Sequence, residues 1–122
     1  MSFALFLASA LAGAPQALAT VDNVPIFRRV HITDEVSVIA FGIIKDSRCT
    51  GPEFCFRNDT LRVAAIVSYR GQEREIVLDW DRPVQVGPGE LFLMSAGTPP
   101  NPNGAIRLEN YRLKLGYRPF VR

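Results

Sequence analysis

Apolar and polar residues alternate over short stretches of this chain, and clusters of Gly, Pro, Asn and Asp separate the stretches. The alternation is clearest in residues 60–70, where every second residue from Leu61 to Tyr69 is apolar. A period of two is typical of a strand with one buried face. Residues 71–72 supply a turn, and the apolar positions alternate again in residues 76–80. These patterns predict an antiparallel β-hairpin.

Further short strands are predicted on both sides of this hairpin. They cover residues 24–32, 36–44, 83–86 and 91–94. A turn at Thr33-Asp34 ends the first of them. The second is apolar at both parities, which favours a strand covered on both faces. Pro83 cannot donate a ladder hydrogen bond, so we expect residues 83–86 to form an edge strand.

The last segment changes the parity of its apolar residues. Ile106 and Leu108 have one parity, whereas the apolar residues from Tyr111 to Tyr117 have the other. A β-bulge near Glu109-Asn110 would reconcile them, because an inserted residue reverses the alternation that follows. Together these patterns predict an all-β fold, a small antiparallel β-sandwich of about seven strands, with a small β-barrel as the alternative.

Residues 1–19 have the features of a signal peptide. They carry no charge, and an apolar run is followed by Gly13, Pro15 and the small-residue sequence Ala17-Leu18-Ala19. We therefore expect cleavage after Ala19. A membrane anchor is the alternative, but a spanning helix needs about 20 apolar residues and Pro15 interrupts the run.

Residues 20–122 have the size of one small domain and contain no apolar run of membrane-spanning length. We expect one soluble β-sandwich domain, located in the periplasm or secreted. The formal net charge of +2 is far from the dense basic surface of a nucleic-acid-binding domain. We therefore expect no nucleic-acid partner.

Cys49 and Cys55 flank a Gly-Pro turn. In an oxidising compartment two such cysteines are expected to form a disulfide bond, which would fix the connection 46–59 between two strands. Other interpretations stay open. Zinc needs about four ligands, and only His31 and scattered carboxylates remain to help; a redox pair normally has the tighter C-x-x-C spacing. A disulfide-framed loop can also present a rigid recognition edge, as protease inhibitors do.

The segment around the cysteines resembles a motif of bacterial secreted proteins and lipoproteins of unknown function. That motif reads D-S-R-C-P, a short gap and C-x-W-A-G before an alternating strand, with a final strand that ends near proline. The chain matches it at Asp46, Ser47, Arg48, Cys49, Cys55 and the closing Arg118-Pro119. It departs from the motif at Thr50, Arg57 and Asn58. The resemblance implies an exported β-domain and assigns no activity.

No residue pattern predicts an enzyme. The single histidine, His31, lies on the polar side of its strand, where we expect it to be exposed, and no G-x-S-x-G sequence is present. Asp79 and Asp81 point to the same outward side and are expected to be a solvated pair rather than a catalytic dyad. We therefore expect no catalytic residues, no cofactor and no metal site.

Charged residues suggest two further features. Asp46 and Arg48 are expected to pair with each other or to cap turn amides, with ligand binding as the less favoured interpretation. Arg112, Lys114 and Arg118 share one parity on the final strand. Interstrand pairing with acids such as Glu73, Glu75 and Asp79 is the first interpretation of this stripe, and an anionic surface or polysaccharide partner is the second.

The favoured functional hypothesis is a binding or envelope-associated module that presents loops 46–59 and 97–104, because loops on a rigid scaffold commonly carry recognition. Its partner would be an envelope or extracellular protein. The candidate binding residues are Asp46, Arg48, Thr50, Glu53 and Phe54. The alternative is an inhibitor of an extracellular hydrolase that inserts residues 50–54. A carboxylate-dependent hydrolase is the least favoured hypothesis.

Overall fold

The computed structural model describes residues 18–48, 60–97 and 107–120. Within them, eight strands form two four-stranded antiparallel sheets, and neither sheet closes into a barrel. The first sheet has the order β1-β8-β7-β6 and the second the order β2-β3-β4-β5. The predicted all-β sandwich is therefore confirmed. The strands are β1 (Ala19–Val24), β2 (Arg29–His31), β3 (Val36–Asp46), β4 (Leu61–Tyr69), β5 (Gln72–Asp79), β6 (Val84–Val86), β7 (Gly89–Ser95) and β8 (Leu113–Pro119).

The core lies between the two sheets and follows the alternation of the sequence. The largest fully buried side chains include five leucines: Leu61, Leu78, Leu91, Leu113 and Leu115. Burying one such side chain contributes about 1.5–3 kcal/mol relative to leaving it exposed. Both sheets contribute to this set, so the sandwich is stabilised mainly by contact between their inner faces.

The predicted hairpin is present as β4 and β5. Val63 pairs with Leu78 across it, and both side chains are buried. The turn is formed by Arg70 and Gly71, with φ angles of 51° and 83°, and not by the predicted residues 71–72, because Gln72 already pairs with Tyr69. Two consecutive positive φ angles are the signature of a type I′ turn, whose twist matches that of the strands it joins. The predicted edge strand is also confirmed, because β6 lies at the margin of the first sheet.

The prediction of one strand over residues 24–32 is wrong. β1 belongs to the first sheet and β2 to the second, so the chain crosses between the sheets in residues 25–28. Asn23 and Phe27 have φ angles of 61° and 71°, which redirect the backbone. The Phe27 amide donates a hydrogen bond of 2.7 Å to the Ala40 carbonyl of β3. The apolar residues keep the same parity on both sides of residues 25–28, although no single strand spans them.

The predicted bulge at Glu109-Asn110 is also absent. Residues Leu108–Asn110 form a single turn of 3-10 helix instead. The Tyr111 amide donates to the Leu108 carbonyl at 3.3 Å to close that turn. A helical turn changes the side on which the next residue lies, as an inserted strand residue would. The parity change therefore had a different structural cause.

β3 contains two bulges, where its register with β4 shifts between Ala40 and Gly42 and between Ile43 and Lys45. The prediction that both of its faces are covered holds only for the first part of the strand. Ile44, near its end, is 53% exposed. The second sheet therefore has a partly exposed outer face.

The sandwich has two ends with different side-chain contacts. The Asp46 end contains the end of β3, the start of β4, the end of β7 and the start of β8. At the opposite end, named the Tyr117 end, the Tyr117 hydroxyl donates a hydrogen bond of 2.7 Å to the buried Val86 carbonyl. The Tyr69 ring lies against Gly87 there. No helix in the described ranges is long and apolar enough to cross a membrane.

Candidate functional site

Two long connecting segments of the chain start and finish at the Asp46 end. Residues 49–59 join β3 to β4, and residues 98–106 lie between β7 and the 3-10 helix. The described residues that flank these segments are close together. The Ser47 amide, for example, donates a hydrogen bond of 2.8 Å to the Thr60 carbonyl across the mouth of the first connection.

Asp46 points into the sandwich at this end. It pairs with Leu61, whose side chain faces the core, whereas the preceding Lys45 pairs with the outward-facing Arg62. The side chain of Asp46 is only 6% exposed. A carboxylate in such a position needs compensating partners, because burial of an unpaired charge is very costly.

Arg48 supplies the first partner. Its Nε donates to Asp46 Oδ1 and its Nη2 donates to Asp46 Oδ2, both at 2.8 Å. This fork is the bidentate geometry that gives arginine–carboxylate pairs their strength and directionality. The Arg48 side chain is 5% exposed, so the pair is almost fully withdrawn from water. The expected pairing of these two residues is therefore present.

Arg48 also links the two connections. Its Nη1 donates a hydrogen bond of 2.8 Å to the carbonyl oxygen of Gly97, the last described residue before segment 98–106. Gly97 has a φ of 79°, a conformation that favours glycine. One guanidinium thus joins the root of segment 49–59 to the root of segment 98–106.

Tyr111 completes the cluster from the other side. It follows the 3-10 helix directly, is 4% exposed, and donates a hydrogen bond of 2.7 Å from its hydroxyl to Asp46 Oδ2. In the sequence, Tyr111 shares its parity with the apolar residues of the last strand. The sequence gives no signal for the partner of the Tyr111 hydroxyl, because Asp46 is 65 residues away. We refer to these three side chains as the Asp46–Arg48–Tyr111 cluster.

Asp46 and Tyr111 each have a fixed protonation state at neutral pH. Burial alone would raise the pKa of Asp46, but the hydrogen bonds from Arg48 and Tyr111 outweigh it and lower the pKa below its ordinary 3.8. Burial, together with the hydrogen bond to Asp46, raises the pKa of Tyr111 to about 12. The Asp46 carboxylate is therefore ionised and the Tyr111 hydroxyl protonated. The hydrogen bond between them favours both of these states. This arrangement positions the chain and is poorly suited to proton transfer at neutral pH.

The remaining candidate binding residues, Thr50, Glu53 and Phe54, lie outside the described residues. The two residues of the predicted disulfide, Cys49 and Cys55, lie outside them as well. The disulfide bond therefore stays a prediction. Of the second expected loop, 97–104, only Gly97 is described.

The other chemical candidates are dispersed. His31 is exposed on β2, as expected. Asp79 accepts a hydrogen bond of 3.2 Å from Arg62 and one of 3.1 Å from the Asp81 amide, while Asp81 is exposed. In the part of the chain that the structure describes, no three His, Cys, Asp or Glu side chains are grouped so that they could hold a metal ion.

The basic stripe of the last strand is engaged locally. Arg118 lies 3.8 Å from Glu90 on the neighbouring strand, and Lys114 lies 3.9 Å from Asp22. Arg112 donates to backbone carbonyls instead. Interstrand pairing is therefore the better interpretation, but the suggested partners were wrong. Those acids lie on β5 of the second sheet: Glu73, Glu75 and Asp79.

We found no match to this chain among protein-family models, curated proteins or solved structures.

Proposed function

We propose that this protein is a non-enzymatic binding or envelope-associated module that works in the periplasm or outside the cell. Its recognition surface would be formed jointly by segments 49–59 and 98–106 at the Asp46 end. The observation that supports this proposal is the position of the Arg48 guanidinium, which binds Asp46 at one segment root and the Gly97 carbonyl at the other.

The cluster is suited to holding a surface in place. The oxygens of Asp46 accept from Arg48 and Tyr111, and all three side chains are buried, so little of the cluster's bonding capacity faces a ligand. Asp46 and Arg48 therefore act as positioning residues in this proposal rather than as ligand contacts. Roots that are fixed before binding reduce the ordering cost of association, which improves affinity.

Contacts to the partner would come from the segments themselves. Thr50, Glu53 and Phe54 are the leading candidates in the first segment, since a short loop closed by a Cys49–Cys55 disulfide would present them in a restricted set of conformations. An aromatic ring beside a carboxylate offers both apolar area and charge to a protein surface. The partner class that fits the expected compartment is an envelope or extracellular protein.

A capture experiment with matched variants tests the proposal. The exported protein is immobilised with its cysteines oxidised, and envelope and extracellular fractions are passed over it. Phe54→Ala should lose the recovered partner while retaining the wild-type melting temperature. Phe120→Ala is the control, because Phe120 is an exposed aromatic residue next to Pro119 at the Tyr117 end.

The comparison has clear adverse outcomes. Recovery of no partner, or equal recovery by both variants, would contradict the proposal. Recovery of a hydrolase that loses activity on binding, with loss of inhibition in Glu53→Ala or after reduction, would replace it with the inhibitor interpretation.

A further inference from the structure

The outer face of the second sheet carries an apolar patch. Its members are Ile39, Phe41, Ile44, Ala64, Ile66 and Val77. Phe41 and Ile44 are the residues inserted at the two bulges of β3. Together with Ala64 and Val77 they line a shallow groove of about 350 Å³. Bulges commonly re-aim side chains at functional surfaces, and here both bring apolar groups to the outside.

Ion pairs border this patch at both ends. Arg62 and Asp79 lie 3.2 Å apart towards the Asp46 end, and Arg29 and Glu73 lie 2.9 Å apart on the other side. An exposed apolar area with a polar rim is typical of a surface that binds another protein.

Two opposite charges on this face indicate which kind of protein would bind to it. Lys45 lies beside Arg62 at one corner of the patch, and Glu75 lies beside Ile66 at the diagonally opposite corner. Within the described ranges, neither Lys45 nor Glu75 forms an ion pair. Opposite charges at opposite corners make the face complementary to itself.

We infer that this face binds a second copy of the chain, with the two copies related by a two-fold axis that passes over Ala64. The axis lies in the interface plane and perpendicular to the line from Lys45 to Glu75. It places Lys45 of each copy opposite Glu75 of the other copy, so that two ion pairs form at once. This self-matching is a property of isologous two-fold interfaces.

The sheet geometry is compatible with this arrangement. Neighbouring strands are about 4.8 Å apart and every second residue advances about 6.8 Å, so the strands of the two copies would cross at roughly 70°. That angle is close to the orthogonal class of sheet packing. The Asp46 ends of the two copies would diverge, which leaves both proposed recognition surfaces free to bind.

The area predicts a weak dimer. The four strands of this sheet have on average about eight residues and cover roughly 500 Å², well below the roughly 800 Å² per partner of a standard interface. We therefore expect a dissociation constant above about 1 µM. Even a weak dimer would present two recognition surfaces, and paired binding to an immobile envelope partner would increase avidity without new contacts.

Sedimentation velocity of the exported protein, from about 10 µM to about 1 mM, tests the inference. The wild type should shift from monomer to dimer over this range. Ile44→Lys should abolish the shift, whereas Met94→Lys should retain it. Met94 is a matched control because it is 39% exposed and lies on β7 of the first sheet.

A charge exchange distinguishes a second copy from any other partner. Lys45→Glu and Glu75→Lys should each weaken dimerisation at least about tenfold, because each variant opposes like charges twice. An equimolar mixture of the two variants should restore it, since both ion pairs re-form in the mixed dimer. This mixing test decides the matter even if Ile44→Lys fails to fold.

Three results would overturn the inference. They are a wild type that stays monomeric at 1 mM, a dimer that Ile44→Lys leaves intact, and a mixture that dimerises no better than its components. A monomeric wild type would assign the face to a different protein, and it would leave the proposed function of the Asp46 end untouched.

Discussion

Removing the Asp46 carboxylate is the most direct test of the cluster. In Asp46→Ala the Arg48 guanidinium stays buried and keeps its bond to the Gly97 carbonyl, but it loses both of its hydrogen bonds to the carboxylate. The Tyr111 hydroxyl loses its acceptor as well. The variant is therefore expected to contain a buried guanidinium without its carboxylate and a buried phenol without its acceptor.

We expect Asp46→Ala to cause a large loss in the free energy of unfolding for a single substitution. Removing one member of a buried ion pair costs about 3–5 kcal/mol. Small domains have unfolding free energies of about 5–15 kcal/mol in total. A loss of this size should lower the melting temperature by more than about 10 °C, since 1 kcal/mol corresponds to about 4–8 °C in a domain of this size.

Urea unfolding of the oxidised protein at neutral pH measures this loss. Asp79→Ala is the matched control, because Asp79 also pairs with an arginine but its partner Arg62 is 49% exposed. We expect the control to cost less than about 2 kcal/mol, because it loses an ion pair to an exposed arginine and the hydrogen bond from the Asp81 amide, and it leaves no charge buried. A second comparison is the double variant Asp46→Leu with Arg48→Met, which should be more stable than Asp46→Ala because no charge remains buried.

The reasoning is refuted if Asp46→Ala and Asp79→Ala cost the same. A second check is the acid limb of the stability curve. The pKa of Asp46 is lower in the folded protein than its ordinary 3.8, so its contribution is complete above about pH 4 and is lost as the pH falls below that value. The stability difference between wild type and Asp46→Ala should therefore shrink in acid. A difference that stays constant would contradict the assigned contacts.

Three further measurements address other parts of the structure. Tyr111 should account for a loss of roughly 2–3 kcal/mol as the pH rises from 10 towards 12, because it deprotonates near 10 when unfolded and near 12 when folded. In alkaline urea titrations Tyr111→Phe should therefore lose less stability than wild type, while the buried Tyr117, whose pKa is also raised by burial, still contributes a loss in both proteins. Gly87→Ala should cost about 1–3 kcal/mol in urea unfolding, because φ is 54° and the new Cβ would lie 2.6 Å from the Tyr69 ring, whereas Gly42→Ala meets no neighbour within 4 Å and should cost less than about 1 kcal/mol. Intact-mass analysis of natively purified protein should show the two cysteines joined, and two free thiols would contradict the predicted disulfide bond.

The sequence predicted those parts of the fold that local alternation controls. The β4–β5 hairpin has apolar residues at every second position, so its strands and core face could be deduced, whereas its turn was predicted one residue too late in the chain. The edge position of β6 followed from Pro83, which lacks an amide hydrogen. In both cases the deciding chemistry lies within a few consecutive residues.

The strand predictions were wrong where the backbone changes direction without a typical turn sequence. Asn23 and Phe27 have positive φ angles, yet a phenylalanine rarely adopts one and therefore does not mark a turn in the sequence. Tertiary contacts hold this crossing, including the hydrogen bond from Phe27 to Ala40. The 3-10 helix at residues 108–110 was likewise indistinguishable from a bulge by parity alone.

The candidate site was only half visible in the sequence. The spacing of Asp46 and Arg48 suggested a local pair, and the pair is present. Their burial, and their links to Gly97 and Tyr111, depend on contacts between distant parts of the chain. The periodicity of a sequence does not show which hydroxyl lies beside which carboxylate across a sandwich. These contacts could therefore be found only in the structure.

The location of the Asp46–Arg48–Tyr111 cluster has a practical consequence for protein engineering. Its three side chains belong to the framework, so residues 50–54 and 98–106 can be randomised in a display library without altering any of them. Selection for new targets would then act on the variable positions alone, as it does on the hypervariable regions of an antibody.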